Sequence, residues 1–249
     1  MMPLIDLGFT HLNSYAFFMA CGFWLGFIYF VYFVKSRKIN LMPENEMIYL
    51  FAAIFIFAIF GAKAAYVIAE RRELLFENIL NLFKFWESGF VYYGGLIGAI
   101  VCIALYLTIK KVSFKTFCDI FAPALCINVF FIRIGCFFAG CCYGRETSLP
   151  WGIKFTGGAP LHPAQIYEAL AAFALFLFLH FYNKKHFGQG KTLSLYLMGY
   201  ALARFIIEFF RGDERGGYFL AMSPSQNISI AMFILGLVIF TKAEKCQKK

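Results

Sequence analysis

Apolar stretches long enough to cross a bilayer recur from one end of the chain to the other, and that leaves few folds open. A helix needs about 20 residues to cross roughly 30 Å of hydrocarbon. Seven such segments are read here, at residues 15–34, 48–69, 90–109, 116–140, 164–182, 193–210 and 227–241. In lipid every backbone N–H and C=O has to be satisfied within the protein, which makes such segments helices. With 61% hydrophobic and 15% charged residues, the chain lies outside the range of soluble domains. The expectation is an all-α integral membrane protein of about seven spans. Connections are short and no internal repeat interrupts them, so residues 1–249 read as one membrane-embedded domain.

The net charge of +9 is mostly a topology signal, because short loops rich in Lys and Arg stay on the cytoplasmic side. An outer N-terminus and an inner C-terminus assign four groups to the inner face: Lys35, Arg37 and Lys38; Lys110, Lys111 and Lys115; Lys184, Lys185 and Lys191; Lys242, Lys245, Lys248 and Lys249. These are 13 of the 23 basic residues. No basic face with a binding motif is present, so no nucleic-acid partner is expected. Residues 1–14 contain no Lys or Arg and no clear signal-peptidase site follows, so the first segment reads as a retained helix. The connection from Glu70 to Ser88 alternates charges with Leu, Ile, Phe and Trp, which suits either an interfacial helix or an ordinary amphipathic connector. A second, ordered connection runs from Cys141 to Pro163 and is punctuated by Pro and Gly.

The run RIGCFFAGCCYGRE, Arg133 to Glu146, sets an arginine, three cysteines and three glycines at the end of an apolar segment. An arginine within the bilayer costs at least a few kcal/mol and marks a candidate site. A second, Arg204, lies on another segment, four residues after Tyr200 and four before Glu208, so these three share a helix face. Further polar groups gather toward the same half of the predicted bundle: Tyr15, Tyr93, Arg145, His162, Gln165, Tyr167, Glu168 and Arg211. A guanidinium offers a planar fork of donors suited to carboxylate or phosphate. The anionic partners of Arg133 and Arg204 are therefore either Glu168 and Glu208, as structural ion pairs, or a phosphate of the membrane lipids. In YYGGLIG the paired Gly94 and Gly95 permit close backbone approach to a neighbouring helix or a ligand.

Six blocks, YYGGLIG, RIGCFFAGCCYGR, LPWGIKF, LHPAQIYEAL, GYALARFIIEFFR and SPSQNIS, occur in the order and spacing of the bacterial prolipoprotein diacylglyceryl transferase family, which the chain resembles over most of its length. The resemblance implies a multi-pass enzyme of the bacterial cytoplasmic (inner) membrane. It would take the diacylglyceryl group from phosphatidylglycerol and join it to the lipobox cysteine thiol of a preprolipoprotein signal peptide. It implies catalytic roles for Arg133, Arg204, Tyr93, Tyr15 and Tyr200, with both arginines on the phosphate. Substrate binding would involve Arg133, Gly94, Gly95, Gly144, His162, Gln165 and Glu168. No cofactor and no metal is expected. Two other functions stay open on this scaffold: a lipid-dependent transferase with another acceptor, and a non-catalytic phospholipid-binding or transport protein.

The chain departs from the family pattern in two places. Tyr93 stands where the best-known members carry a histidine, and a phenol with a pKa near 10 is a far weaker base. The glycine-rich signature, typically Gly-Asn and then Asn-Gly-Glu, has Cys136, Ala139 and Cys141 at its polar positions, and Cys142 adds another thiol. Cys136 either pairs with Cys141 or Cys142 in a disulfide or simply packs; a thiol acting as transient nucleophile is a second reading. A metal held by the three sulfurs would want a fourth ligand, for which no matching spacing is evident.

Overall fold

A computed structural model of the chain describes residues 4–6, 11–70, 91–155, 158–186, 189–212 and 222–247. Among them are seven helices: α1 (Ser14–Ser36), α2 (Glu44–Glu70), α3 (Tyr92–Ile109), α4 (Phe114–Ala139), α5 (Ala164–His186), α6 (Lys191–Glu208) and α7 (Pro224–Gln247). Two three-residue strands, β1 (Leu4–Asp6) and β2 (His11–Asn13), pair antiparallel ahead of α1. The Asn13 side chain accepts hydrogen bonds from the N–H groups of Tyr15 and Ala16. It caps α1 and fixes where that helix starts. Residues 71–88 of the expected interfacial connector lie outside the described residues.

This is an all-α membrane protein. Helices α1, α2, α4, α5 and α7 are long and apolar enough to cross a membrane. Helix α3 is a shorter apolar helix of 18 residues, and α6, also of 18, carries Lys191, Arg204 and Glu208. Large apolar side chains point outward as they would toward lipid, such as Trp24, Ile28 and Tyr32 along one face of α1.

The residues form two compact units, Met1–Arg37 with Lys115–Lys249, and Lys38–Phe114. In the first, α1 crosses α4 through small residues. A Cβ on Gly22 would stand 2.9 Å from Phe131 Cβ, and one on Gly26 would stand 3.1 Å from the Ala124 carbonyl. Spacing small residues by four lets two backbones approach where lipid supplies no hydrophobic drive between helices. Ala122, Cys126, Leu179 and Tyr196 form a buried cluster of α4, α5 and α6, flanked by Leu125, Leu175 and Phe176. In the second unit, α2 and α3 pack closely. Gly94 lies against the Gly61 carbonyl and the Ala65 side chain, and a Cβ on Gly95 would stand 3.1 Å from the Ala58 carbonyl. Both glycines of the YYGG run thus face a neighbouring helix.

The basic end of the first unit is closed by one carboxylate. Asp119, fully buried on α4, accepts hydrogen bonds from the backbone N–H groups of Gln189, Gly190, Thr192 and Leu193 at 2.8–3.2 Å. The N-cap of α6 is Gly190, in the left-handed region at φ 80°, with no side chain to cap the helix. Asp119 supplies that cap from another helix, with the charge the N-terminal dipole favours. Asn183 of α5 completes the lock, donating to the Asp119 carbonyl at 2.7 Å and accepting from Thr192 Oγ1 at 2.9 Å.

Candidate active site

The opposite end of that unit carries the ionisable cluster. Arg133 lies six residues before the end of α4, Glu168 four after the start of α5 and Arg204 four before the end of α6. At 1.5 Å per residue all three sit roughly 6–9 Å inside the helix ends. Glu168 is the hub and only 1% exposed. Its Oε1 forms an ion pair with Arg133 Nη2 at 2.8 Å and accepts from the Tyr200 hydroxyl at 3.0 Å. Its Oε2 faces Arg204 Nη1 at 3.8 Å and Arg211 Nη1 at 4.0 Å, too far for hydrogen bonds. Arg204 Nη2 forms an ion pair with Glu208 Oε2 at 2.8 Å and donates to Ser225 Oγ at 3.1 Å, while Ser223 Oγ donates to Glu208 Oε1 at 2.8 Å. The end of α6 and the start of α7 are therefore joined through this network.

Among the described residues, three guanidiniums face two carboxylates, with the Cys142 sulfur beside Arg211. Hydrogen-bonding capacity is left over. Arg133 Nε and Arg204 Nη1 are buried and make no hydrogen bond. A buried guanidinium N–H without a partner is costly. An anion with several oxygens, placed between the two arginines, would relieve that cost.

A folded loop covers this end. Gly144 N–H donates to the His162 carbonyl at 2.8 Å, Arg145 N–H to the Phe210 carbonyl at 2.9 Å, and His162 N–H to the Arg145 carbonyl at 3.0 Å. A Cβ on Gly144 would collide with the Phe210 carbonyl oxygen and stand 2.8 Å from that of His162, so the stitch requires glycine. Trp151 Nε1 donates to the Tyr167 hydroxyl at 2.8 Å, which leaves the Tyr167 proton for His162 Nδ1, 3.2 Å away. Burial, reinforced by the charge of Arg145, holds the His162 imidazole below its usual pKa. Gln165 Nε2 donates to the Cys141 carbonyl at 2.6 Å and ties α5 to the loop.

The cysteines follow from how α4 ends. Gly140, at φ 70°, lets the Cys141 N–H turn back to the Cys136 carbonyl (3.1 Å) and the Gly140 N–H to that of Phe137 (3.1 Å). This is the paired C-terminal bonding of a glycine-ended helix. The sulfurs of Cys136, Cys141 and Cys142 consequently lie within 4.8 Å of one another. All three are free thiols, so the disulfide expectation is not realised in this structure. Hydrogen bonding with the sulfurs of Cys136 and Cys141, with Arg211 alongside, holds the Cys142 thiol far below the ordinary thiol range.

Among the expected site residues, the structure brings Arg133, Glu168, Tyr200 and Arg204 into one network, with Gly144, His162, Cys141 and Cys142 in the adjoining loop, Cys136 near the end of α4 and Gln165 at the start of α5. Tyr15 lies at the α1–α4 crossing, where a Cβ on Gly135 would stand 3.2 Å from its Cα. Tyr93, Gly94 and Gly95 belong to the other unit, where Tyr93 is exposed. Glu208, read in the sequence as an ion-pair partner for the arginines, pairs with Arg204, and Arg211, noted only as a polar neighbour, also belongs to the network. The i, i+4, i+7 spacing of Arg204, Glu208 and Arg211 was the signal for them. Ser223 and Ser225 stood out only as part of the SPSQNIS block, with no role assigned, because their contacts with Arg204 and Glu208 are tertiary.

Fold and site together define a helical membrane protein with an arginine-rich, anion-seeking centre one to two turns inside the helix ends. The profile of the family described as "Prolipoprotein diacylglyceryl transferase" matches residues 3–242. The chain is 36% identical over 233 residues to "Phosphatidylglycerol--prolipoprotein diacylglyceryl transferase 2" of Clostridium perfringens, covering 91% of this chain and 89% of that one. It is 35% identical over 235 residues to the similarly named protein of Idiomarina loihiensis (89% and 88% covered), and 37% identical over 212 residues to that of Clostridium tetani (83% of each). The chain belongs to the prolipoprotein diacylglyceryl transferase family.

Proposed function

We propose that this chain is a phosphatidylglycerol–prolipoprotein diacylglyceryl transferase, acting on the lipobox cysteine of preprolipoprotein signal peptides. Family membership supports the activity. The observation that ties it to residues is the pair of buried arginine donors without hydrogen-bond partners, Arg133 Nε and Arg204 Nη1. In the reaction the acceptor thiol gives up its proton, which ends on the leaving phosphate or in solvent, and its sulfur bonds to the glyceryl carbon. The bond from that carbon to the phosphate oxygen breaks, the electron pair stays on the oxygen, and glycerol phosphate leaves with one more negative charge than the ester carried. Fixed cationic donors stabilise charge that develops in this way, and more so where water is excluded. Arg133 and Arg204 take that role in this reading.

Tyr200 and Glu168 hold the arginines in orientation. Gly144, His162 and Gln165 shape the loop over the lipid headgroup, and Tyr15 stands at its α1 edge. Tyr93, Gly94 and Gly95 keep in this reading the roles the family resemblance implies, Tyr93 catalytic and the two glycines in substrate binding. The whole of 1–249 acts as one transferase domain, a reading supported by a family match that runs across both units. It spans the bacterial inner membrane seven times, with α3 and α6 as the two shortest crossings, N-terminus out and C-terminus in.

The test is transfer by purified protein in detergent, from phosphatidylglycerol to a lipobox peptide, read by mass as thioether-linked diacylglycerol. Arg133→Ala should lower turnover by about 10²–10³-fold, as expected for loss of one oxyanion donor. Tyr93→Phe reports on the phenol, whose participation requires a drop in the same assay. Undiminished turnover in Arg133→Ala would remove the phosphate role, and phospholipid binding without product would make the chain a binder.

A further inference from the structure

The cysteine cluster has no part in the transfer just described, and its geometry has its own chemistry. Three sulfurs lie within 4.8 Å of one another, with Cys136 buried, Cys142 half-buried and Cys141 exposed toward the loop side. Zinc–thiolate bonds of about 2.3 Å set the sulfurs of a tetrahedral centre roughly 3.8 Å apart. Small side-chain rotations separate the observed spacing from that one. The backbone already holds the triad: the Cys141 N–H returns to the Cys136 carbonyl, Gln165 holds the Cys141 carbonyl at 2.6 Å, and Cys142 sits at φ 63°, where a side chain other than glycine is seldom found. A residue kept in that conformation by its surroundings points to a local function rather than to packing.

We propose that Cys136, Cys141 and Cys142 form a three-thiolate site for a soft metal cation, Cu(I) in trigonal coordination or Zn(II) with its fourth position open. Thiolate ligands select such ions over hard ones. The surroundings suit the charge, because three thiolates around either ion remain net negative. Arg211 hydrogen-bonds with Cys142, and Arg133 stands within electrostatic reach of both Cys136 and Cys142. The fourth ligand wanted at the sequence level is unnecessary for Cu(I) and is replaceable by water or another small donor for Zn(II).

The proposal does not rest on the transfer reading, since it is tested by binding rather than turnover. The full chain, purified in detergent under reductant and stripped with a chelator, is titrated with Co(II) as a spectroscopic stand-in for zinc. It is titrated separately with Cu(I) in competition with a chromophoric Cu(I) chelator. The expected result is one equivalent bound, with thiolate-to-cobalt charge-transfer absorption in the first titration or capture of copper in the second. Capture of copper alone would assign the trigonal form, and the cobalt band the open tetrahedral one. Each single change, Cys136→Ser, Cys141→Ser or Cys142→Ser, should weaken binding by more than about tenfold, the least that loss of a metal site's supporting groups costs. Cys102→Ser, in the other unit, should leave it unchanged. Prior alkylation of the wild-type thiols should abolish binding and gives the same answer if a serine variant fails to fold. No thiolate band and no copper capture, binding that survives alkylation, or a Cys136 disulfide in protein isolated without reductant would each overturn the site.

Discussion

Glu168 carries most of the electrostatics of the arginine cluster. It is almost fully buried, pairs with Arg133, accepts a hydrogen bond from Tyr200, and lies within 4.0 Å of Arg204 and Arg211. Removing one partner of a buried ion pair leaves the other charge uncompensated and costs about 3–5 kcal/mol. Glu168→Gln should therefore lower the thermal unfolding midpoint in detergent far more than Tyr200→Phe, which deletes a single hydrogen bond worth about 1.5–3 kcal/mol to a charged acceptor. Equal midpoints for the two variants would mean that the arginines do not depend on this carboxylate. A second prediction concerns His162, whose pKa lies below its usual value because of burial and Arg145. The unfolded chain then binds a proton more readily than the folded one, so stability from this group is complete above about pH 6.5 and declines as pH falls through the folded value. A midpoint-versus-pH series should fall on that acid side for wild type and be flatter for His162→Asn. At this scale the sequence was informative about residue types. Arginines and a glutamate in apolar helices had to find one another, but which oxygen meets which nitrogen depends on three helices at once.

Two elements were not legible in that way. The cap of α6 comes from Asp119, about 70 residues earlier in the chain, because Gly190 has no side chain to offer. No local signature marks it, since helix-start rules look for Ser, Thr, Asp or Asn at the cap position itself. Asp119→Ala should destabilise the protein by about 2 kcal/mol or more, combining loss of a cap with orphaned buried N–H groups. Asp119→Asn, which keeps one oxygen, should fall between it and wild type by thermal or denaturant unfolding. The loop from Cys141 to Pro163 was legible as ordered turn structure from its Pro and Gly residues, whereas its pairing with the end of α6 was not. Gly144→Ala should disrupt the stitch between the loop, His162 and Phe210. Transfer should then fall sharply with little change in α4–α5–α6 stability, visible as turnover lost at a nearly unchanged midpoint. The apolar periods fixed where helices lie; the contacts between their ends came from tertiary packing.

Over the whole molecule, the distribution of charge argues for orientation. In the first unit, Lys35 and Arg37 end α1, Lys115 opens α4, Lys184 and Lys185 end α5, Lys191 opens α6, and Lys242 and Lys245 end α7. Asp119 joins the starts of α4 and α6, so the basic residues there share one end, while Arg133, Glu168, Arg204 and Ser225 mark the other. Basic residues in short connections remain cytoplasmic, so the proposed orientation has the arginine cluster in the outer half of the bilayer. A fluorescent protein that matures only in the cytoplasm should glow when fused at the C-terminus or inserted near Lys111. A phosphatase active only outside should work when fused after Gly158. The pattern is diagnostic because Arg133 and Arg204 move with the loop that carries Gly158: reversed reporters would carry both arginines to the cytoplasmic half. That result would overturn the orientation and leave the family assignment, which rests on sequence alone, untouched.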